Sequence, residues 1–254
     1  MQSYITAMRA ADRSPSTIRL HRHYLDRLAR CHPSPAQVTV GDLRSFLAAH
    51  DWKPETMKSA RGVCRTFYRW AHGAGLIEHN PALSLDSIRV PRAMARPAPE
   101  AVVLATVTMG EPRVQLMAML AAYAGLRCAE IAAVHDTHLL DDVLRVVGKG
   151  RKVREIPVVH AELLAQLRAV NGWAFPNGHG THLSAGHVSR LLSVAMPSGW
   201  TAHTLRHRMA TVSYAGTRDL LAVGAVLGHS RPETTQRYVR LPDDALRAAV
   251  RAAA

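Results

Sequence analysis

The sequence predicts a mainly α-helical protein with one small antiparallel β-sheet, arranged as a helical N-terminal domain and a larger C-terminal one. Three observations lead there. Helical periodicity with recognisable caps dominates up to Gly73 and resumes at Glu100. One stretch, Val143 to Val158, has strand-like apolar residues on both sides of a glycine-flanked turn. Between the two helical regions, Arg89 to Pro99 holds three prolines and three arginines, the composition of a linker. The expected organisation is a helical domain over residues 1–90, a linker over 91–99, and a second domain over 100–254.

In chain order, Ser14-Pro15-Ser16-Thr17 offers N-caps for a helix running to about Arg30. Thr39 or Asp42 caps a short helix through Ala48. A longer helix starts near Pro54, where Pro-Glu suits a first turn, and ends at Gly73. On this helix Lys58, Arg61, Arg65 and Arg69 recur at helical spacing, while Val63, Phe67 and Trp70 mark another face. Such a stripe is often only a solvated surface; this one is purely positive with no interleaved acid, which favours phosphate contact. Asn80-Pro81 ends the helical hairpin that follows. In the second domain, Glu100 to Met109 and Arg113 to Val134 read as helices. The strands Val143 to Val147 and Val153 to Val158 come next. Helices follow over Ala161 to Val170, His187 to Val194, Leu205 to Tyr214, Asp219 to Leu227 and Asp243 to Ala253.

Composition narrows the function. The chain has 254 residues, 48% of them hydrophobic, enough for ordinary cores in one large or two small domains. A formal net charge of +13 asks for a polyanionic partner, and nucleic acid fits better than a membrane. The longest apolar run, Val114 to Leu126, falls short of the roughly 20 residues a bilayer span needs. Arg9, Asp12 and Arg13 interrupt any signal-peptide layout, and Cys31, Cys64 and Cys128 lie far apart without a C-x-x-C. A reduced, cytoplasmic, nucleoid-associated protein is the expectation. Arginine outnumbers lysine 28 to 4, so it is notable that Lys149 and Lys152 share one hairpin.

The last fifth of the chain carries the chemistry. His203-Thr204-Leu205-Arg206 is followed by Leu227-Gly228-His229 and then by Tyr238 among Arg231, Arg237 and Arg240. A phenol has a pKa of roughly 10 and attacks little at neutral pH unless a base and cations surround it. Both are at hand here. Arginine forks match pairs of phosphate oxygens, so converging arginines can stabilise a pentavalent phosphorus without a metal. Arg127 and Arg206 are the candidates, although Arg127 also stands three residues from Glu130, the spacing of a surface helix pair. His187 to Arg190 repeats the H-x-x-R pattern, but only His203 and Arg206 lie next upstream of the Leu227-Gly228-His229 box. No Walker loop, H-E-x-x-H or zinc-spaced cysteine set is present, and no cofactor or metal is expected.

From about residue 12 onward, this arrangement resembles the tyrosine recombinases, the family of phage integrases and Xer-type resolvases. The first arginine box reads Ala124-Gly125-Leu126-Arg127-Cys128-Ala129-Glu130-Ile131, the lysine hairpin Gly148-Lys149-Gly150-Arg151-Lys152-Val153-Arg154-Glu155-Ile156-Pro157, and the second box Ala202-His203-Thr204-Leu205-Arg206-His207. Leu227-Gly228-His229 and Thr235-Gln236-Arg237-Tyr238 complete the set. The resemblance implies a core-binding domain of the SAM-like helical kind plus a tyrosine-recombinase catalytic domain. It implies Tyr238 as nucleophile forming a 3′-phosphotyrosyl bond, His203 as general base, His229 as a donor to the scissile phosphate and Lys149 as the acid for the leaving 5′ oxygen. Glu130 helps hold Arg127, and Arg151 and Lys152 touch neighbouring phosphates. It further implies double-stranded DNA as partner, a homotetramer on two sites passing through a Holliday junction, and an accessory directionality factor. The helix Asp243 to Ala253 docks on a neighbour or packs on its own domain. Many integrases carry an additional arm-binding domain, for which this chain shows no pattern ahead of its first helices. A phage or mobile-element integrase is the first reading, and an Xer-like chromosome or transposon resolvase the second. A type IB topoisomerase, which would relax DNA lacking any recognition site, and a non-catalytic DNA-binding protein, indifferent to Tyr238→Phe, are the rivals from other classes.

Overall fold

Ser14 and Thr39 set the frame of the N-terminal region. In the computed structural model, which describes residues 1–91, 96–228 and 251, the Ser14 hydroxyl accepts the Thr17 N–H and Pro15 opens helix α2 (Pro15–Cys31). Thr39 and Asp42 form a reciprocal capping box at the start of α3 (Val40–Ala48), so both candidate capping residues take part. Helix α4 (Pro54–Gly73) follows, and a further helix, α1 (Gln2–Ala10), precedes α2 without having been foreseen. The expected helical hairpin before Asn80-Pro81 does not form. Among the described residues no helix lies between Gly73 and Glu100. Gly75 turns the chain with φ +67°, and the Asn80 carboxamide accepts the Ala82 N–H to hold a turn. These elements make one compact unit, Met1–Ala93, around Tyr4, Leu25, Leu43, Phe46, Val63 and Tyr68.

The second unit, Met94–Ala254, is organised around α6 (Pro112–Ala122). Leu116 through Ala122 are all buried, so this helix is apolar on every side. Packed against it are α5 (Glu100–Thr108), α7 (Cys128–Ala132), α8 (Ala161–Arg168), α9 (Ala185–Ala195) and α10 (Ala202–Thr217), with α11 (Leu220–Leu227) against α10. The expected single helix from Arg113 to Val134 is therefore broken in two. The break is Gly125, in the left-handed region at φ +65°, where an added Cβ would lie 3.0 Å from Leu227 Cδ2 and 3.1 Å from Met209 Sδ. Ala98, inside the stretch read as a linker, is buried in this unit's core and donates its N–H to the Thr204 carbonyl at 3.0 Å.

The sheet is three-stranded and antiparallel: β1 (Leu139–Leu140), β2 (Val143–Val147) and β3 (Val153–Pro157), in that order. The short β1 was not anticipated. Register pairs Leu144 with Ile156 and Val146 with Arg154, which puts Arg154 on the inward face of the sheet. Among the described residues, no helix is long and apolar enough to cross a membrane. Except for Arg251, the expected terminal helix Asp243 to Ala253 lies outside the described residues.

Candidate active site

Three guanidiniums, from the start of α7, from β3 and from α10, meet around one buried carboxylate. Glu130 sits on α7, the five-residue helix that begins just after the Gly125 turn, and its side chain is 4% exposed. Its Oε2 accepts the Arg127 backbone N–H at 2.9 Å, capping the helix, while Oε1 accepts Arg127 Nη1 at 2.9 Å. The pairing expected at i, i+3 is thus present and also fixes the local backbone. Arg127 Nη2 reaches the Gly228 carbonyl at 3.5 Å, and the side chain remains 40% exposed. Arg206, one turn into α10, is only 2% exposed. It donates to the carbonyls of Gly125 and Leu227, the latter at 2.6 Å, and its Nη1 lies 3.9 Å from Glu130 Oε2.

The fourth member is Arg154, which the sequence reading missed. Its Nη1 and Nη2 donate to the two oxygens of Glu130, each at 2.9 Å, and its Nε donates to the Val226 carbonyl at 2.7 Å. A signal for it was available. Alternation along β3 places Arg154 on the same face as buried Ile156, and an inward arginine on a strand demands a buried acid. Burial pushes the Glu130 carboxyl up, but the Arg154 hydrogen bonds, the Arg127 N–H and both guanidinium charges outweigh it and hold the pKa below the ordinary carboxyl value. Among the described residues, three guanidiniums thus face one ionised carboxylate. That excess of positive charge in a partly dry site suits a phosphodiester.

The remaining candidates fall around this cluster. Gly148, the residue before Lys149, lies against it: an added Cβ would be 3.5 Å from both Glu130 Oε1 and Arg154 Nη1. Lys149 opens a short 3-10 turn at the hairpin tip, with Arg151 and Lys152 exposed beside it. His203 is exposed in the first turn of α10, three residues before Arg206, its ring 4.1 Å from that of buried His207. The competing Arg190 is exposed on α9. His229 and Tyr238 lie outside the described residues, although Gly228, the C-cap of α11 at φ +63°, brings the chain to the cluster's edge. In the N-terminal unit Lys58 and Arg69 are exposed and Arg65 is half-buried. Arg61 departs from the simple stripe, because its Nη2 donates to the Leu85 carbonyl at 2.6 Å and so ties down a loop. Among the described residues no group of three or more His, Cys, Asp or Glu side chains could hold a metal ion.

The C-terminal unit has the fold of tyrosine-recombinase catalytic domains. A lambda integrase dimer bound to a COC′ core site shares that fold, with a TM-score of 0.76 at 16% identity over 93% of this chain and 75% of the other. A profile described as the phage integrase family matches residues 101–244, and the chain belongs to that family. It is a tyrosine site-specific recombinase. The tyrosine recombinase XerC of Chromohalobacter salexigens is 32% identical over 257 residues, spanning 90% of this chain and 86% of its own. The integrase from mycobacterium phage Brujita is 25% identical with a TM-score of 0.52, covering 97% of this chain and 96% of that one.

Proposed function

We propose that this recombinase cuts and rejoins double-stranded DNA through a 3′-phosphotyrosyl intermediate on Tyr238. The observation that carries the reading is the convergence of Arg127 and Arg206 on the carbonyls of Gly228 and Leu227, around the buried Glu130. In the proposed step, the Tyr238 oxygen forms a bond to phosphorus as the bond from phosphorus to the 5′ oxygen breaks. The phenol proton passes to His203, and Lys149 supplies a proton to the departing 5′ oxygen. Arg127, Arg206 and His229 hold the nonbridging oxygens while charge builds on them. The 5′ hydroxyl of the partner strand then reverses the step. Phosphodiester energy is kept in the tyrosyl linkage, so no nucleotide cofactor enters.

The recombinase is read as acting as a homotetramer on two DNA sites through a Holliday junction, on nucleoid DNA in the cytoplasm, with an accessory factor setting direction. Lys58, Arg61, Arg65, Arg69, Arg151 and Lys152 supply phosphate contacts. Coverage of nearly the whole Brujita integrase favours a mobile-element integrase. The 32% identity to XerC favours a second reading as an Xer-like resolvase.

The test is covalent trapping. Nicked suicide duplexes from DNA flanking the gene, incubated with the protein, should give a denaturation-resistant adduct that Tyr238→Phe abolishes. Tight binding to the same DNA without an adduct would sink the reading. Once a site is located, two copies on one plasmid test resolution and two separate molecules test integration. Efficient resolution with no integration would select the Xer-like reading.

A further inference from the structure

Arg154 stands where three candidate pieces of the reaction machinery meet. Its two Nη atoms grip both oxygens of Glu130, the carboxylate that holds the backbone and the guanidinium of Arg127. Its Nε holds the Val226 carbonyl, in the last turn of the helix that ends two residues before His229. Its own strand begins where the hairpin carrying Lys149 closes, with the Gly148 N–H bonded to the Lys152 carbonyl at 2.7 Å. The Arg154 side chain is 10% exposed, against 40% for Arg127. Arg127 is thus the guanidinium that meets solvent, and Arg154 the one that orients it from behind.

The packing of Gly228 gives this placement a second, independent support. Gly228 adopts φ +63°, and a Cβ there would fall 3.0 Å from Arg154 Nη1, 3.1 Å from its Cδ and 3.2 Å from its Cζ. The guanidinium therefore lies flat against the glycine of the Leu227-Gly228-His229 box. A side chain at that position would displace it.

We infer that Arg154 is a positioning residue for DNA cleavage: by clamping Glu130 and the end of α11, it fixes the Arg127 fork, the root of the Lys149 hairpin and the entry to His229 in one arrangement. Lysine cannot replace it, because a single ammonium cannot hold both carboxylate oxygens and a carbonyl in one plane. The inference rests on the cleavage reaction proposed above.

Its test is a double-mutant cycle in the full chain, read as single-turnover adduct formation on the suicide duplex at saturating protein. Arg154→Lys keeps the charge and should slow adduct formation about 100-fold, the scale of a small misplacement at a reacting centre. In an Arg127→Lys background the same change should cost no more than about twofold, because it acts through Arg127. A merely structural role would multiply the two losses. Multiplied losses, or wild-type cleavage by Arg154→Lys, would overturn the inference. Should Arg154→Lys fail to fold by thermal melting, Gly228→Ala carries the cycle instead: it retains every charged group, pushes the guanidinium and should show the same non-additivity. If the wild-type protein forms no adduct, the cleavage reading fails and the inference falls with it. If only the variants behave as wild type, the inference alone falls.

Discussion

The two units of this chain solve the same packing problem with different materials. The N-terminal unit is closed by rings. Tyr4 packs edge-on to Phe67 at 5.2 Å, Tyr24 and Phe46 each pack edge-on to Trp52, and Arg27 lies over the same indole. Among its described residues the one buried side chain of the Asp, Glu, Lys, Arg and His types is His21, hydrogen-bonded to the Tyr4 hydroxyl, its pKa lowered first by burial and then by Arg13. The C-terminal unit has a mainly aliphatic core of Ala, Val, Leu, Ile and Met around a single buried phenyl ring, Phe175, among the described residues, yet it buries Glu130 and Arg206 outright. Burying charge stabilises little, since desolvation offsets most of the attraction. A unit that does so has given up stability for preorganised cations, whereas the ring-packed unit has nothing comparable to give up.

The sharpest way to break this comparison is Arg206→Ala. It removes a guanidinium from the cluster and leaves the buried carbonyls of Gly125 and Leu227 without that donor. Loss of a donor aimed at developing charge lowers the cleavage rate by about 10²–10³, and each orphaned carbonyl costs about 1–3 kcal/mol. The expected outcome is loss of adduct together with weaker protection from hydrogen exchange, confined to the C-terminal unit. Retained cleavage would mean that charge is not what this core is built for.

Phe67→Ala is the counterpart in the other unit. The ring is 7% exposed and touches Tyr4, Tyr68 and Trp70. Its removal should cost about 3–5 kcal/mol, seen as faster exchange across α1, α2 and α4. An equal loss in the C-terminal unit would show that the two cores do not fail separately.

Glu130→Gln sharpens the contrast through pH. The folded-state pKa of Glu130 lies below its ordinary value of 4.5, so its stabilising contribution is complete above that value and is lost as pH falls through the lowered one. Gln cannot titrate. The gap in melting temperature between wild type and Glu130→Gln should therefore narrow as pH drops from neutral to about 3. A gap constant with pH would show that the carboxylate charge does not matter.

The same division governs what the sequence makes legible. The helices capped by Ser14 and Thr39 and the one opened by Pro54 are readable because these start signals are local and the periodicity long. The break at Gly125 is not, because the apolar pattern runs unbroken through α6 and only the contact with Leu227 and Met209, far along the chain, forces the turn. Arg127, Glu130 and Arg206 are legible as members of ordered motifs, and the structure brings them together. Arg154 escaped because nothing beside it in the sequence marks it out from the other basic residues of the hairpin. Its partner lies 24 residues away on another element, and only register turns it inward.

The smallest expected effect tests the ring-packed unit's surface. Arg61, Arg65 and Arg69 share a helical spacing, yet Arg61 already donates to the Leu85 carbonyl, while Arg65 and Arg69 make no such bond among the described residues. If Arg65 contacts a phosphate, Arg65→Ala removes one counterion-releasing site. The slope of log binding constant against log salt should then fall by about 0.9, with melting unchanged. Arg61→Ala should instead lower the melting temperature, because it frees the chain at Leu85, and any change in its salt slope comes mixed with that loss. An Arg65→Ala protein with an unaltered slope would place the DNA contacts on another face of α4, leaving the stripe as solvated surface.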